Sequence, residues 1–455
     1  MSNPFVDKLP GDFVWGAATA SFQIEGAANE DGRGESVWDR FCATPGKVRN
    51  GDTGAVACDF YHRYHDDILL MRELGLDAFR FSIAWPRIVP AGRGKVNAAG
   101  LDFYDRLVDE LLGNGITPFV TLFHWDTPQP IEDAGGWPVR ETVDAFSEYV
   151  TAVAERLGDR VGHWITHNEP WVVAWVGHAW GHHAPGRTSD ADALATAHHL
   201  LLSHGRAVEI LRGASPGSEV GITLNLDHAY AESASDEDAA AAQWVDGFHN
   251  RWFLDPIFRG SYPQDMLEAW AEIAPEIHDG DLETISVPID FLGVNNYTSP
   301  LVAAAADGDR SQIVRREDVD HTDMGWEVVP EGLHDLLLRL EQDYSPPAIY
   351  VTENGAAFPD VRGHDGSVSD LERQAYLEGY ITAAAQAVAQ GVPLRGYFAW
   401  SLFDNFEWAW GYWKRFGLVY IDYATLERVP KGSFYWFRDL IAAQRAQGRG
   451  SEEAA

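Results

Sequence analysis

Two stretches of this chain end an apolar, β-branched run in a carboxylate: Ala348-Ile-Tyr-Val-Thr-Glu-Asn-Gly355 and His163-Trp-Ile-Thr-His-Asn-Glu-Pro170. A buried parallel strand has that pattern, with its last residues emerging at the C-terminal edge of the sheet. In barrel folds chemistry sits at that edge, which places Glu353 and Glu169 to react rather than to be solvated. Taken singly, either glutamate could be structural. Two of them, each beside an asparagine at a strand end, predict a pair of carboxyl groups facing one pocket. Such a pair suits cleavage of a glycosidic bond, where one group protonates the leaving oxygen and the other attacks or activates water.

Those two strands belong to a regular series. Phe13-Val-Trp-Gly-Ala-Ala18 reads as the first strand, Ala78–Trp85 as the second and Thr117–Trp125 as the third. The Glu169 strand is fourth, Val220–Asn225 fifth, Asp290–Tyr297 sixth, the Glu353 strand seventh and Leu394–Ser401 eighth. Helical apolar spacing covers Asp59–Leu74, Ala98–Leu112, Val139–Leu157, Ala191–Arg212, Asp236–Phe253, Leu333–Leu340, Leu371–Ala389 and Ser433–Ala443. Strand–helix alternation gives a parallel sheet, and eight units predict an α/β fold, a single (β/α)8 TIM barrel with elaborated βα loops. With no linker and no shift of composition, one domain over 1–455 is expected, its core spanning about 10–445. The competing topology, an open doubly wound sheet, carries a glycine-rich phosphate loop after its first strand. Here that turn holds Ala17, Ala18 and Thr19.

The formal charge of −35 excludes nucleic acid and anionic membrane as partners. Lysine occurs only at Lys8, Lys47, Lys95, Lys414 and Lys431. An acidic, lysine-poor surface fits tolerance of high salt, and equally a composition-biased genome. The 18 tryptophans, many just after strand ends, favour a carbohydrate site, because sugars present C–H faces that stack on flat rings. No segment is long and apolar enough to cross a bilayer, and Met1–Phe13 lacks the basic and apolar regions of a secretory leader. Cys42 and Cys58 are too few to staple a fold and suit a reducing, cytoplasmic setting. His178, His182 and His183, with His198 and His199 further along, could suggest a metal, but their spacing matches no standard site.

The motifs Phe22-Gln-Ile-Glu-Gly-Ala27, Phe79-Arg-Phe-Ser-Ile-Ala-Trp-Pro-Arg87, His124-Trp-Asp-Thr-Pro128 and Thr166-His-Asn-Glu-Pro170 occur in order. Asn295-Asn-Tyr-Thr298, Val351-Thr-Glu-Asn-Gly355 and Trp400-Ser-Leu-Phe-Asp-Asn-Phe-Glu-Trp408 follow them. With these motifs the chain resembles glycoside hydrolase family 1, the β-glucosidase family, from Phe13 to Phe437. The resemblance implies a retaining double displacement with Glu169 as acid/base and Glu353 as nucleophile, Arg80 and Tyr297 beside Glu353, and Asn295 in the same catalytic group. It implies sugar recognition by Gln23, His124, Trp125, Asn168, Glu407, Trp408 and Phe416, with Trp400 as a stacking floor. Trp171, Val176, His183, Asn225 and Trp326 are implied on the leaving-group side. No metal or cofactor is implied. The expected partner is a small β-glucoside or cello-oligosaccharide, with β-galactosides and β-fucosides also acceptable and glycosyl transfer as a side reaction.

Retaining carboxyl pairs stand about 5–5.5 Å apart, where two negative charges at an effective dielectric near 20 repel by about 3 kcal/mol, roughly two pKa units. One of the pair is therefore expected to stay protonated. The resemblance also implies, through Glu407 and Phe416, a preference against 6-phosphoglycosides: family members that take these generally lack a carboxylate at the first place, where it would repel the phosphate, and favour Tyr at the second. A 6-phospho-β-glucosidase and a catalytically silent sugar-binding protein remain the rival readings. Asn296, where the family usually has an aromatic, and His167, before Asn168, depart from the pattern, and both are expected to bear on substrate preference or pH optimum.

Overall fold

Val14–Ala18 (β1), Ala78–Ser82 (β2), Thr117–Phe123 (β3) and His163–Asn168 (β4) are followed by Glu219–Asn225 (β5), Phe291–Asn295 (β6), Ile349–Asn354 (β7) and Leu394–Trp400 (β8). Each pairs in parallel with its chain neighbours, and β1 pairs with β8, closing the barrel. This computed structural model describes residues 9–306 and 309–452, with side chains through 446. Most of the stretch on which the expected lack of a leader rests lies outside the described residues.

The expected strands are present, with shorter ends except in β5, which begins one residue earlier than expected, at Glu219. β-Branched and aromatic residues form them because such side chains pack on both faces of a buried sheet. Inside the barrel, Phe119, Phe291, Tyr350 and Phe398 meet with ring centroids 4.8–6.5 Å apart. The interior is thus plugged, and the open end is left for a site. Gly16 makes room for this plug: a Cβ there would stand 2.2 Å from the Phe398 ring.

Helices Phe60–Leu74 (α1), Ala98–Gly113 (α2), Glu141–Leu157 (α3), Asp190–Ala214 (α4), Trp252–Arg259 (α5), Pro330–Tyr344 (α6), Leu371–Ala389 (α7) and Gly432–Glu452 (α8) surround the barrel. In α3, Val143, Phe146, Val150, Val153 and Leu157 recur every three or four residues and are buried. Glu141 and Asp144 in its first turn and Arg156 in its last complement the helix dipole. α6 is longer at both ends than the expected Leu333–Leu340, and α8 runs past the expected Ala443.

Two departures bear on the site. The expected helix Asp236–Phe253 is interrupted: a regular helix ends at Asp246, and Gly247–Arg251 adopts wide π-helical turns before α5 begins. A second wide-turned segment, Val172–Ala179, follows β4. Such turns add a residue to the helical circuit and re-aim side chains, which is why they recur beside functional sites. Further loop elaborations are a three-stranded sheet of Tyr230–Ala231, Leu301–Ala303 and Gln312–Val314, and the hairpin of Val419–Asp422 with Glu427–Pro430.

The segment after β8 is held by a buried ion network. Lys431 Nζ donates to Asp404 at 2.6 Å and to Asp360 at 2.5 Å, Arg415 pairs with Asp404 at 2.6 Å and Arg373 with Asp360 at 2.7 Å. Breaking a buried pair leaves an uncompensated charge. Lys431→Ala is therefore expected to lower the unfolding free energy by about 3 kcal/mol in urea denaturation. A loss below about 1 kcal/mol would mean that the two arginines suffice.

Candidate active site

Strict alternation along a strand would send Asn168 and Glu169 to opposite faces. The register of β4 against β5 shifts instead: Ile165 pairs with Gly221, and Asn168 with Thr223, so β4 carries one extra residue. β7 shows the same feature against both neighbours, just around Glu353. Bulges of this kind bend a strand and redirect a side chain. Glu169, expected to end the strand, lies one residue past β4 and takes a left-handed φ of 50°. For a non-glycine residue that conformation costs about 1–3 kcal/mol and persists only where the surroundings impose it. Trp125 and Trp408 are held likewise at φ 76° and 48°. Gly355 lets β7 approach β8, since a Cβ there would lie 1.8 Å from the Trp400 carbonyl oxygen.

A cavity of about 350 Å³ at the open end of the barrel is lined by both glutamates. Glu353 accepts from Arg80 Nη1 through Oε1 and from Tyr297 Oη through Oε2, each at 2.6 Å. Arg80 is fully buried and is fixed from behind by Thr121 Oγ1 and the Thr352 carbonyl. Burial keeps Tyr297 a phenol, well above its usual range, so it remains a donor. Glu169 has no cation of its own. Its Oε1 accepts from Asn295 Nδ2 at 2.6 Å, and Oε2 makes no hydrogen bond among the described residues.

These surroundings separate two chemically identical groups. Burial first, then the charge of Glu353, pushes Glu169 up to about 8, against the Asn295 hydrogen bond and Arg80. Burial raises Glu353 too, but Arg80 and the Tyr297 hydroxyl oppose it directly. Of the pair, Glu353 therefore ionises first and Glu169 holds the proton at neutral pH. Its free Oε2 is the oxygen placed to carry it.

Asn168 ties the two halves together. Its Oδ1 accepts from Arg80 Nη2 at 2.6 Å and from Asn295 Nδ2 at 3.0 Å. Asn295 Oδ1 in turn accepts from Thr352 Oγ1 at 2.8 Å, which fixes that amide's orientation. With its oxygen saturated, Asn168 gives one Nδ2 hydrogen to His124 Nε2 at 3.1 Å and has a second to offer. His124 must then carry its ring proton on Nδ1, which is buried without a partner. Burial, then Arg80, holds this imidazole far below its usual range, so it stays neutral.

Trp125, Trp400, Trp408 and Phe416 line the same cavity, and Trp125 is pinned by its indole N–H on the Asn168 carbonyl at 2.9 Å. Trp408 lies flat against Phe22, 6.1 Å between centroids. Glu407 is pushed up to about 8 by burial and then by Glu353, and its Oε2 has no partner. Gln23 does not line the cavity; its amide donates to Asn405 and the Phe406 carbonyl, leaving Oε1 buried and unpartnered. Arg80 and Asn168 likewise sit behind the lining.

Toward the opening, Trp171, Val176, His183, Asn225 and Trp326 all line the cavity. The sequence reading missed Asp227 and His249 beside them. The Asp227 carboxyl, pushed up to about 7 by burial, lies 3.7 Å from His249 Nε2, and Asn225 Nδ2 is 3.2 Å from the same nitrogen. Asp227 two residues past a strand end was a readable signal; His249 arrives only through the wide turns of Gly247–Arg251. Asn296 braces this corner, donating to the Leu226 carbonyl at 2.8 Å and to Asp227 at 3.3 Å. His167 does not reach the cavity: it bonds Ser203 at 2.8 Å and stacks on Phe146 between the barrel and its helices. Its expected influence on substrate preference thus has no contact to act through. His178 bonds the Val173 carbonyl, His198 bonds Tyr262 and Asp281, and His199 bonds the Trp137 carbonyl. Among the described residues no cluster of His, Cys, Asp or Glu could hold a metal ion.

The sequence profile of glycosyl hydrolase family 1 matches residues 5–446. Beta-glucosidase A of Acetivibrio thermocellus is 49% identical over 95% of this chain and 98% of its own length. A bifunctional beta-D-glucosidase/beta-D-fucosidase of Bifidobacterium breve is 46% identical over 96% of this chain and 99% of its own. The structure of a beta-glucosidase from Thermotoga maritima in complex with glucoimidazole superposes with a TM-score of 0.94 at 49% identity, covering 96% of this chain and 99% of that one.

Proposed function

The chain belongs to glycosyl hydrolase family 1, and from that premise we propose that it is a retaining β-glucosidase with Glu353 as nucleophile and Glu169 as acid/base. One observation carries the assignment of roles: Glu353 has a cation and a phenol on its two oxygens, whereas Glu169 has a single amide. Attack of Glu353 on the anomeric carbon expels the leaving oxygen, which takes the proton of Glu169. Once esterified, Glu353 loses its charge and the principal repulsion on Glu169 disappears. Glu169, now a carboxylate, then removes a proton from water as that water displaces Glu353 from the opposite face. Two inversions return the β-anomer.

The sugar being transferred is held by groups with unused hydrogen-bonding capacity: His124 Nδ1 and Glu407 Oε2 from the cavity lining, and the second Nδ2 hydrogen of Asn168 and Gln23 Oε1 from behind it. The Asn168 donor is suited to a 2-hydroxyl, a contact that strengthens as positive charge develops at the anomeric carbon. Trp400 and Trp408 supply apolar faces. Cello-oligosaccharides and aryl β-glucosides are the substrates we favour, with β-fucosides accepted as well, as the name of the bifunctional Bifidobacterium breve relative suggests for such a site. We place the reaction in the cytoplasm on the strength of two buried, free cysteines, Cys42 and Cys58. No helix among the described residues is long and apolar enough to cross a membrane. We assign residues 1–455 to one catalytic domain.

Glu407 argues against a 6-phosphoglycoside: its buried carboxyl supplies no positive charge for a phosphate, and it repels one wherever it ionises. The expected result is that kcat/KM for 4-nitrophenyl β-glucoside exceeds that for its 6-phosphate by on the order of 10²–10³. A reversed preference would replace this reading with the phosphoglycosidase. Absence of turnover on both would leave the silent sugar-binding protein.

A further inference from the structure

A groove of about 660 Å³ adjoins the catalytic cavity and shares Val176, His183 and Trp410 with it. Its outer wall carries Lys47, Arg49 and His182, and no carboxylate is among its described lining residues. That is unusual on a chain with 34 basic and 69 acidic residues, where most arginines are held by a carboxylate. Lys47 and Arg49 are exposed and make no ion pair among the described residues. Lys47 Nζ contacts the Gly181 carbonyl at 3.3 Å and lies 5.4 Å from the Phe41 ring, while the Arg49 guanidinium stacks 3.6 Å over Trp413. A smaller cavity on the other side of Lys47 contains Glu132 and Asp133, but Arg187 holds the first at 2.6 Å and Gln129 the second at 2.8 Å. Trp410 is 41% exposed at the junction of the two cavities, with Lys414 Nζ 5.2 Å from its ring centroid.

Two free cations beside an exposed indole, next in line after the leaving-group side, match a pyranose or open-chain sugar that bears a carboxylate. We propose that this groove binds the carboxylate of an acidic saccharide whose terminal glucosyl unit occupies the catalytic cavity, with Lys47 and Arg49 as anion contacts and Trp410 as the stacking face. The proposal rests on the glucosidase reading and names a ligand class for the far end of its substrate. The acidic bulk of the protein does not cancel it. Charges beyond about 8 Å are largely screened at physiological ionic strength, so the local cations dominate the groove.

Calorimetry of cellotrionic acid and of neutral cellotriose, each on the Glu353→Gln protein, reads the groove without turnover. The acid is expected to bind about tenfold more tightly at about 0.15 M ionic strength, where the distant acidic surface is screened, as two exposed ion pairs permit. That gap should close in about 0.5 M sodium chloride and in the added double substitution Lys47→Gln/Arg49→Gln. In the otherwise unsubstituted chain, the same double substitution should leave kcat/KM for 4-nitrophenyl β-glucoside unchanged, which also reports correct folding. Equal affinities for the two ligands, or a gap that survives the double substitution, would overturn the proposal. Failure of the glucosidase reading is seen separately, as no hydrolysis of 4-nitrophenyl β-glucoside by the unsubstituted chain.

Discussion

Glu353→Gly is expected to lower kcat for 4-nitrophenyl β-glucoside by on the order of 10⁵–10⁶, the scale at which loss of a nucleophile acts in other covalent enzymes. The substitution removes the carboxylate that Arg80 and Tyr297 hold and leaves a hole beneath the anomeric carbon. Glu169 keeps its Asn295 contact and loses only a repulsive neighbour. It should ionise more readily in the variant, yet still offer a proton below neutral pH. Azide at molar concentration fits the hole, carries the charge the site is built to hold, and needs no base to activate it. Its attack is a single displacement from the α face, so the product should be α-glucosyl azide, with the nitrophenol released after protonation by Glu169. Product anomer is read by proton NMR. Either no rescue or a β-azide would remove Glu353 from the nucleophile's role, whatever the loss in rate.

The strands on which both glutamates depend were legible because a fully buried strand needs little more than an apolar run between turn residues. Thr117–Phe123 illustrates this: the β3 boundaries differ from the expected stretch only by two residues at its end. Less visible was how Asn168 and Glu169, adjacent in sequence, come to serve one cavity. Period-two alternation forbids it, and only the extra residue in β4 and the left-handed turn at Glu169 permit it. Both depend on packing against β5 and on the chain leaving through Pro170. The wide turns at Val172–Ala179 and Gly247–Arg251 were hidden for the same reason, since their apolar spacing looks like that of an ordinary helix. His249, and with it the polar corner around Asp227, therefore escaped a reading by pattern. His167 shows the converse. Its place beside Asn168 suggested influence on the substrate, whereas its ring faces Ser203 and Phe146 on the helical side of the barrel.

Glu169→Ala should separate two duties that one residue performs in turn. Donating the proton matters only when the leaving oxygen is a poor one. For cellobiose, kcat/KM is expected to fall by about 10²–10⁴, the usual contribution of a positioned acid. For 2,4-dinitrophenyl β-glucoside, whose phenolate leaves unaided, kcat/KM should change little. The pH profile supplies the sign. Glu169 is held up to about 8 by burial and the charge of Glu353, and it acts first as an acid. Cellobiose hydrolysis by the unsubstituted chain should therefore decline as pH rises through about 8, and that limb should vanish in the variant. Loss of the base duty slows release of the glucosyl ester, so the dinitrophenyl substrate should show a burst followed by slow turnover. Azide should relieve that second step too, but by displacing Glu353 from an already inverted centre, so the product is now β-glucosyl azide. The two variants are thus expected to yield opposite anomers from the same nucleophile. That contrast follows from the faces the two carboxyl groups occupy, and equal losses on both substrates with no burst would rule out the acid/base role of Glu169.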